Sequence, residues 1–382
     1  MRVLISPDKF KGSLGAGEVA TAIAAGLRDA NLAGRHLVVE ERPVADGGEG
    51  TASVLCEALA GRWVECPAHD ALGRAISARY ALSRTDGESL AILEMSDPNG
   101  LWRIDEKERR VLLSSSLGTG EVLMHALTHS HADRVVLGIG GSATNDGGLG
   151  FASALGFGFY GSAGEPIAPL PIHFLKVARI DLPPVPWPWT GRVTAMVDVS
   201  NPLLGENGAT RVYGPQKGVV TQAEAESLEQ GLEHFANLAA ATFGKDFRAA
   251  AGAGAAGGLG FGLLTFAQAE LRPGFATVAE LLGLERRIAE TDLVITGEGG
   301  MDAQTLNGKA PFGVAQLAQK HGKPCVAFAG RVDPSADLDL RRHFFDLISL
   351  ANADTPPAEA IRCAPELLRA RAAEFARGFH LP

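Results

Sequence analysis

The chain reads as an α/β protein made of two α/β domains, one discontinuous and built from both chain ends, the other inserted between those ends. Three observations predict this. Short apolar runs alternate with amphipathic helical stretches at both ends: Val3 to Ser6 precedes a helix carrying Val19, Ile23 and Leu27, and Leu293 to Ile295 and Val326 to Ala329 supply two further strands. The middle changes style, opening with strands Ser77 to Leu82 and Leu90 to Met95 around an Asp86-Gly87 turn, the pattern of a β-hairpin. In addition, 382 residues exceed what one hydrophobic core usually serves. Residues 1–66 and 289–382 are therefore assigned to a Rossmann-like α/β domain, and 67–288 to an inserted α/β domain.

Composition narrows the function class. Hydrophobic residues make up 46% of the chain and the net charge is −9, which fits a soluble globular enzyme or binding protein and offers no basic surface to nucleic acid. Cys56, Cys66, Cys325 and Cys363 form no C-x-x-C pair and no zinc spacing. Met1 to Ile5 pass directly into a strand and a charged loop with no signal-peptide pattern, so a cytoplasmic location is expected. Ala249 to Ala267 is uncharged over a membrane-spanning length. Its six glycines and many alanines offer little apolar area, so no membrane span is expected.

Taken in order, the loop Pro7-Asp8-Lys9-Phe10-Lys11-Gly12-Ser13 leaves the C-terminal end of the first strand, where open α/β sheets bind ligands. After a second strand, Leu37 to Val39, the run Asp46-Gly47-Gly48-Glu49-Gly50 sets two carboxylates among three glycines. Glu49 fits a helix start, and Asp46 fits magnesium or a substrate hydroxyl. A third strand, Trp63 to Cys66, closes the first segment. The helix from about Thr119 to Thr128 presents His125 and His129 four residues apart, but the H-E-x-x-H carboxylate is missing and no metal is assigned there. The strand Val193 to Val197 delivers Asp198 to its C-terminal end, and Thr221 with Glu224 forms a capping box for a long helix. Gly252, Gly254 and Gly257 match G-x-G-x-x-G by letters with no strand before them, which leaves only a close backbone approach. Near the end, Thr296-Gly297-Glu298-Gly299-Gly300-Met301-Asp302 follows a strand, and Gly308-Lys309-Ala310-Pro311 opens a helix.

The organising stretch is Arg134 to Gly148. A short buried strand runs into five glycines, two hydroxyls, an amide and a carboxylate before an Ala-rich helix. Such a segment lets N–H groups converge on an anion, phosphate above all, and the helix N-terminus adds partial positive charge. Gly138, Gly140 and Ala143 also fit G-x-G-x-x-A, but the acid that a dinucleotide site needs about 20 residues on is absent, since Glu165 lies in a turn. No G-x-x-x-x-G-K-[ST], H-R-D or D-F-G occurs.

Several segments together resemble signature stretches of the bacterial type I glycerate kinases (glycerate 2-kinases). They are Asp8 to Ser13, Val44 to Thr51, Gly138 to Gly148, Tyr213 to Gly218, Gly252 to Gly260, Leu271 to Gly274 and Gly297 to Gly299, matched in order to about Gly330. The resemblance implies ATP-dependent phosphorylation of D-glycerate, giving 2-phospho-D-glycerate and ADP, on a two-domain fold with its active site in the cleft between domains. ATP and Mg²⁺ are the implied cofactors and D-glycerate the implied partner; a homodimer stays open. The alternatives are a glycerate 3-kinase, a non-catalytic sugar-acid sensor of the same fold, and a hydrolase using the Asn-Asp loop. This chain departs from the family where Gly300 replaces a frequent Arg, where Ala303 replaces a Gly, and at Ser96-Asp97-Pro98-Asn99.

Phosphoryl transfer requires positioning and neutralisation of spreading negative charge, and the roles follow from that. Gly140, Gly141, Ser142, Asn145, Asp146 and Gly147 are assigned to the ATP phosphates, with Lys309 and with Lys11 as a catalytic cation. Asp46, Glu298 and Asp302 are assigned to Mg²⁺, Asp46 counting as catalytic. Asp8, Ser13, Lys217 and Arg272 are assigned to glycerate, with Lys217 or Arg272 on its carboxylate. Asp198 is the expected general base, with Asp302 next in line. Arg331, at the end of the strand after that of Glu298, is expected to replace the cation missing at Gly300.

Overall fold

The computed structural model describes residues 1–30, 36–184 and 190–379. In chain order its strands are β1 (Arg2–Ile5), β2 (Val38–Glu41), β3 (Arg62–His69), β4 (Ala75–Thr85), β5 (Glu88–Glu94), β6 (Arg134–Gly138), β7 (Gly158–Tyr160), β8 (Arg179–Asp181), β9 (Val193–Met196), β10 (Glu270–Arg272), β11 (Leu293–Met301), β12 (Cys325–Val332) and β13 (Asp346–Ser349). The chain divides into two compact units: Met1–Asp46 with Phe275–Pro382, and Gly47–Gly274.

The first unit is built on an all-parallel sheet in the order β13-β12-β11-β1-β2. Strand order reverses between β1 and β11, and in open sheets of this kind ligands bind beyond the strand C-termini at that point. Val3, Ile5, Leu293, Ile295, Val326 and Phe328 form a core with Val19, Ile23 and Leu27 of the helix Ala16–Asp29 and with Leu368 and Ala372 of the helix Ala364–Gly378. The two helices touch at Gly26, where a Cβ would overlap the carbonyl oxygen of Arg369 and come within 2.7 Å of the Ala372 Cβ. β11 runs on through Gly297 to Met301, a stretch expected to be loop. Its parallel ladder with β12 continues there, pairing Gly297 with Phe328 and Gly300 with Arg331, so the extended glycines keep their hydrogen-bonding partners.

The second unit holds a six-stranded sheet, β10-β9-β6-β5-β4-β3, parallel from β10 to β5 and antiparallel beyond. The hairpin turn between β4 and β5 is Asp86-Gly87, with φ of 53° and 87°, as a two-residue type I′ turn requires. β3 pairs with β4 along Arg62–His69, so the strand expected to close the first segment is instead the edge of this sheet. The units therefore meet in sequence at 46/47 and 274/275, where 66/67 and 288/289 were expected. Residues 275–288 join the first unit for a packing reason: Gly313 lies flat against the ring of Phe275, with no room for a Cβ.

The second core is aromatic, with Phe157, Phe159, Phe174, Phe235, Phe261 and Phe266 in edge-on, tilted and stacked contacts. The helix Gln222–Phe243 starts with the expected capping box: Thr221 Oγ1 accepts from Glu224 N at 3.2 Å, and Glu224 Oε2 accepts from Thr221 N at 3.0 Å. Glycine-rich Ala249 to Ala267 supplies the buried helix Ala255–Phe266. Among the described residues no helix is long and apolar enough to cross a membrane.

Because Gly26 leaves no room for a side chain between the two helices, Gly26→Leu is expected to destabilise the first unit by about 1–3 kcal/mol or more through overpacking. Urea unfolding measures this, and an unchanged midpoint would refute the contact.

Candidate active site

At the reversal point of the first unit, the β1 and β11 loops bring acidic and basic groups together. Asp8 donates its backbone N–H to Gly297 O at 2.8 Å, which fixes the two loops in register. Its carboxylate is 6% exposed and accepts from Lys9 N at 2.7 Å. Burial pushes its pKa up from the ordinary 3.8 to about 7; Lys9 opposes the rise, and Asp46 and Glu298 add to it. Glu298, 8% exposed, is likewise raised by burial, against the pull of Thr305 and Lys309. Thr305 Oγ1 donates to Glu298 Oε1 at 2.6 Å, and Lys309 Nζ lies 3.4 Å from Glu298 Oε2 and 3.8 Å from Asp302 Oδ1. Asp302 Oδ1 also accepts from Gln304 N at 2.8 Å, so part of its capacity goes to its own turn. Ser13 Oγ donates to Ile361 O at 2.6 Å.

The expected Mg²⁺ trio of Asp46, Glu298 and Asp302 is not assembled. Among the described residues no three His, Cys, Asp or Glu side chains converge as a metal-binding group. Lys309 stands between the carboxylates of Glu298 and Asp302. This still fits Mg²⁺ accompanying a nucleotide, because that ion keeps several waters and takes one or two carboxylates plus phosphate oxygens. The shielded, mutually repelling carboxylates at Asp8, Asp46 and Glu298 suit a cation that would relieve them.

In the second unit the stretch Arg134 to Gly148 splits in two. Gly140 and Gly141 are exposed just beyond the C-terminal end of β6, whereas Ser142 to Gly148 are buried. Asn145, Asp146 and Gly147, expected to meet phosphate, face the core. Asp146 Oδ2 accepts from Ser116 N at 2.7 Å, Ser116 Oγ at 2.8 Å and Gly150 N at 3.0 Å, and Oδ1 accepts from Gly148 N at 3.2 Å. One carboxylate thus ties the starts of the helices Leu117–Thr128 and Leu149–Ala154. Asn145 Nδ2 donates to Thr210 Oγ1 at 3.0 Å. At Gly147, φ +60°, a Cβ would come within 2.8 Å of Leu232.

Lys217, expected on glycerate, is 2% exposed and donates to Ser142 Oγ and Thr144 O, both at 2.7 Å. Burial pushes its pKa down to about 7. It braces the glycine stretch from beneath and is not available as a solvent-facing clamp. Asp198 and Arg272 remain at the strand C-termini: Asp198 is exposed after β9 and accepts from Gly274 N at 2.8 Å, and Arg272 ends β10 in register with Met196. Two features escaped sequence reasoning. Thr305 has no spacing signal toward Glu298, and Pro357 to Ala364, which lie against the β1 loop, carry no motif that marks them.

A sequence model described as the glycerate kinase family matches residues 3–380. The chain belongs to the glycerate kinase family. It is 37% identical to a glycerate kinase of Bacillus subtilis, over 100% of this chain and 98% of that one. It is 38% identical to a glycerate 2-kinase of Escherichia coli, over 91% and 90%. A crystal structure described as glycerate kinase 2 from Salmonella typhimurium LT2 superposes with a TM-score of 0.86 at 38% identity, covering 98% of this chain and 97% of that one. As a member of this family the chain is a kinase that phosphorylates glycerate.

In this kinase the buried Asp8 makes stability depend on pH. Its native pKa of about 7 lies above the ordinary 3.8, so the contribution of this group to stability is fully present below about pH 4 and is lost as pH rises through 7. The gap corresponds to about 4 kcal/mol at most. Asp8→Asn keeps an acceptor for Lys9 N–H without the charge. Its melting temperature should exceed that of the parent at pH 8 in metal-free buffer, with the difference shrinking towards pH 4; equal values at both ends would refute the assignment.

Proposed function

We propose that the chain transfers the γ-phosphoryl group of ATP to the 2-hydroxyl of D-glycerate, giving 2-phospho-D-glycerate and ADP in the cytoplasm. The observation that carries this reading is the pairing of shielded carboxylates, Asp8 and Glu298, with Lys9 and Lys309 at the reversal point of a parallel sheet. Such a group suits a polyphosphate and its divalent ion. The name of the Escherichia coli relative, glycerate 2-kinase, supports the position of transfer.

Lys11 and Lys309 neutralise phosphate oxygens, and Asp46 and Glu298 hold Mg²⁺, with Asp302 keeping Lys309 in place. When bound, Mg²⁺ offsets the phosphate charge that accumulates during transfer. Asp8 and Ser13 shape the β1 loop. The exposed backbone of Gly140 and Gly141 receives anionic oxygen, and Arg272 takes the glycerate carboxylate. Asp198 accepts the proton of the 2-hydroxyl as its oxygen bonds the γ-phosphorus. The bond from that phosphorus to the β,γ-bridging oxygen breaks, and ADP leaves with the electron pair.

With MgATP and D-glycerate, ³¹P NMR should show 2-phosphoglycerate. A 3-phosphoglycerate signal would overturn the position, phosphate release without glycerate would indicate a hydrolase, and unchanged ATP would indicate a sensor. Asp198→Asn should lower kcat by about 10²- to 10⁴-fold with a smaller change in KM. A near-normal kcat would place the base elsewhere.

A further inference from the structure

The stretch Ser96-Asp97-Pro98-Asn99, where the sequence departs from its family, lies beside the exposed glycine tip of the second unit. Asn99 is fully buried there. We infer that Asn99 is a positioning residue for phosphoryl transfer, fixing the direction of the backbone donors at Gly140 to Ser142. The inference rests on the reading of Gly140 and Gly141 as the backbone that receives anionic oxygen.

Those donors are unclaimed. Among the described residues the N–H groups of Gly140, Gly141 and Ser142 have no hydrogen-bond partner. The two glycines have no side chain to hold their own backbone and the most conformational freedom to lose, so order at the tip comes from its neighbours. Residues 99–101 supply it. Leu101 N donates to Gly141 O and Ala143 N donates to Asn99 O, both at 2.9 Å, an antiparallel bridge centred on Gly100 and Ser142. The first bond sets a direction. The Gly141 carbonyl and the Ser142 N–H belong to one planar trans peptide and point opposite ways, so Leu101 turns the Ser142 N–H away from residues 99–101. The second bond ties down the C-terminal side of the tip.

Residues 99–101 need an anchor of their own, because the helix before them, Ser96–Asn99, has only four residues and does not hold itself in place. The Asn99 side chain is that anchor. Its Oδ1 accepts from Thr119 N and Thr119 Oγ1, both at 2.7 Å, in the first turn of the helix Leu117–Thr128. Its Nδ2 donates to His69 O at 3.3 Å, at the end of β3. One buried amide thus joins a strand end and a helix start to the segment that holds the tip. It serves the reaction only through the backbone it orients.

Steady-state kinetics with MgATP and D-glycerate, well below the melting temperature, and hydrogen exchange at the Leu101 and Ala143 amides test this on the full chain. Asn99→Ala should lower kcat about 10- to 100-fold, with both KM values within about threefold of the parent. Exchange at the two amides should quicken at least about tenfold while the β6 amides keep their protection. Asn99→Asp, whose protonated carboxyl accepts from Thr119 and donates to His69 O, should bring kcat back to within about threefold of the parent. Thr119→Val removes one of the two Oδ1 contacts and should lower kcat about three- to tenfold; if Asn99→Ala does not fold, this variant and Asn99→Asp decide. Parent kcat or parent exchange in the folded Asn99→Ala, parent kcat in Thr119→Val, or no recovery in Asn99→Asp overturns the positioning role and leaves the kinase reading standing. If the parent transfers no phosphate to glycerate, the reading of the tip fails and the inference with it.

Discussion

The second unit depends on a contact between two backbones. Thr144 to Gly148 lie directly on the start of the helix Ala255–Phe266: a Cβ at Gly257 would overlap Thr144 O, and one at Gly258 or Gly262 would come within 2.8 Å of the Cα of Gly147 or Gly148. Gly147 N donates to Gly257 O at 3.0 Å. Gly147, Gly148, Gly257 and Gly258 all have positive φ, which only glycine adopts without strain. Ala256, at φ 55°, bears that strain beside them. No side chain fits between these segments, so both glycine runs answer to one steric demand.

Two buried charges secure this contact. Asp146 gathers backbone donors from two helix starts, and Lys217 reaches Thr144 O and Ser142 Oγ. Burial opposes both ionised forms, raising the carboxyl pKa and lowering that of the amine, and the hydrogen bonds offset that penalty. What remains exposed is the tip, Gly140 and Gly141, held by a rigid base. In the first unit the balance runs the other way. Asp8 and Glu298 have few donors for their burial, which is a stability penalty of the kind that functional sites carry.

Much of the fold was legible because local chemistry enforces it. Asp86-Gly87 specifies a hairpin turn, Thr221 with Glu224 specifies a helix start, and Val193 to Val197 delivers Asp198 to a strand end whatever surrounds them. The pairing of Gly300 with Arg331 also followed from two consecutive parallel strands. The boundaries were not legible. An isolated strand such as β3 carries no mark of its partner, and its eight residues suit either sheet until β4 pairs with it.

Sequence alone determined the family and the α/β class, because motif order and hydrophobic period survive without three-dimensional context. It could not distinguish a glycine that makes room for a ligand from one that makes room for another backbone. Gly141 and Gly147 belong to the same run, yet the first is exposed and the second is packed against Leu232. Nor could it tell Lys11, which is exposed, from Lys217, which is sealed in the core. Both distinctions belong to tertiary structure, since burial and unmet hydrogen-bonding capacity are set by residues distant in the chain.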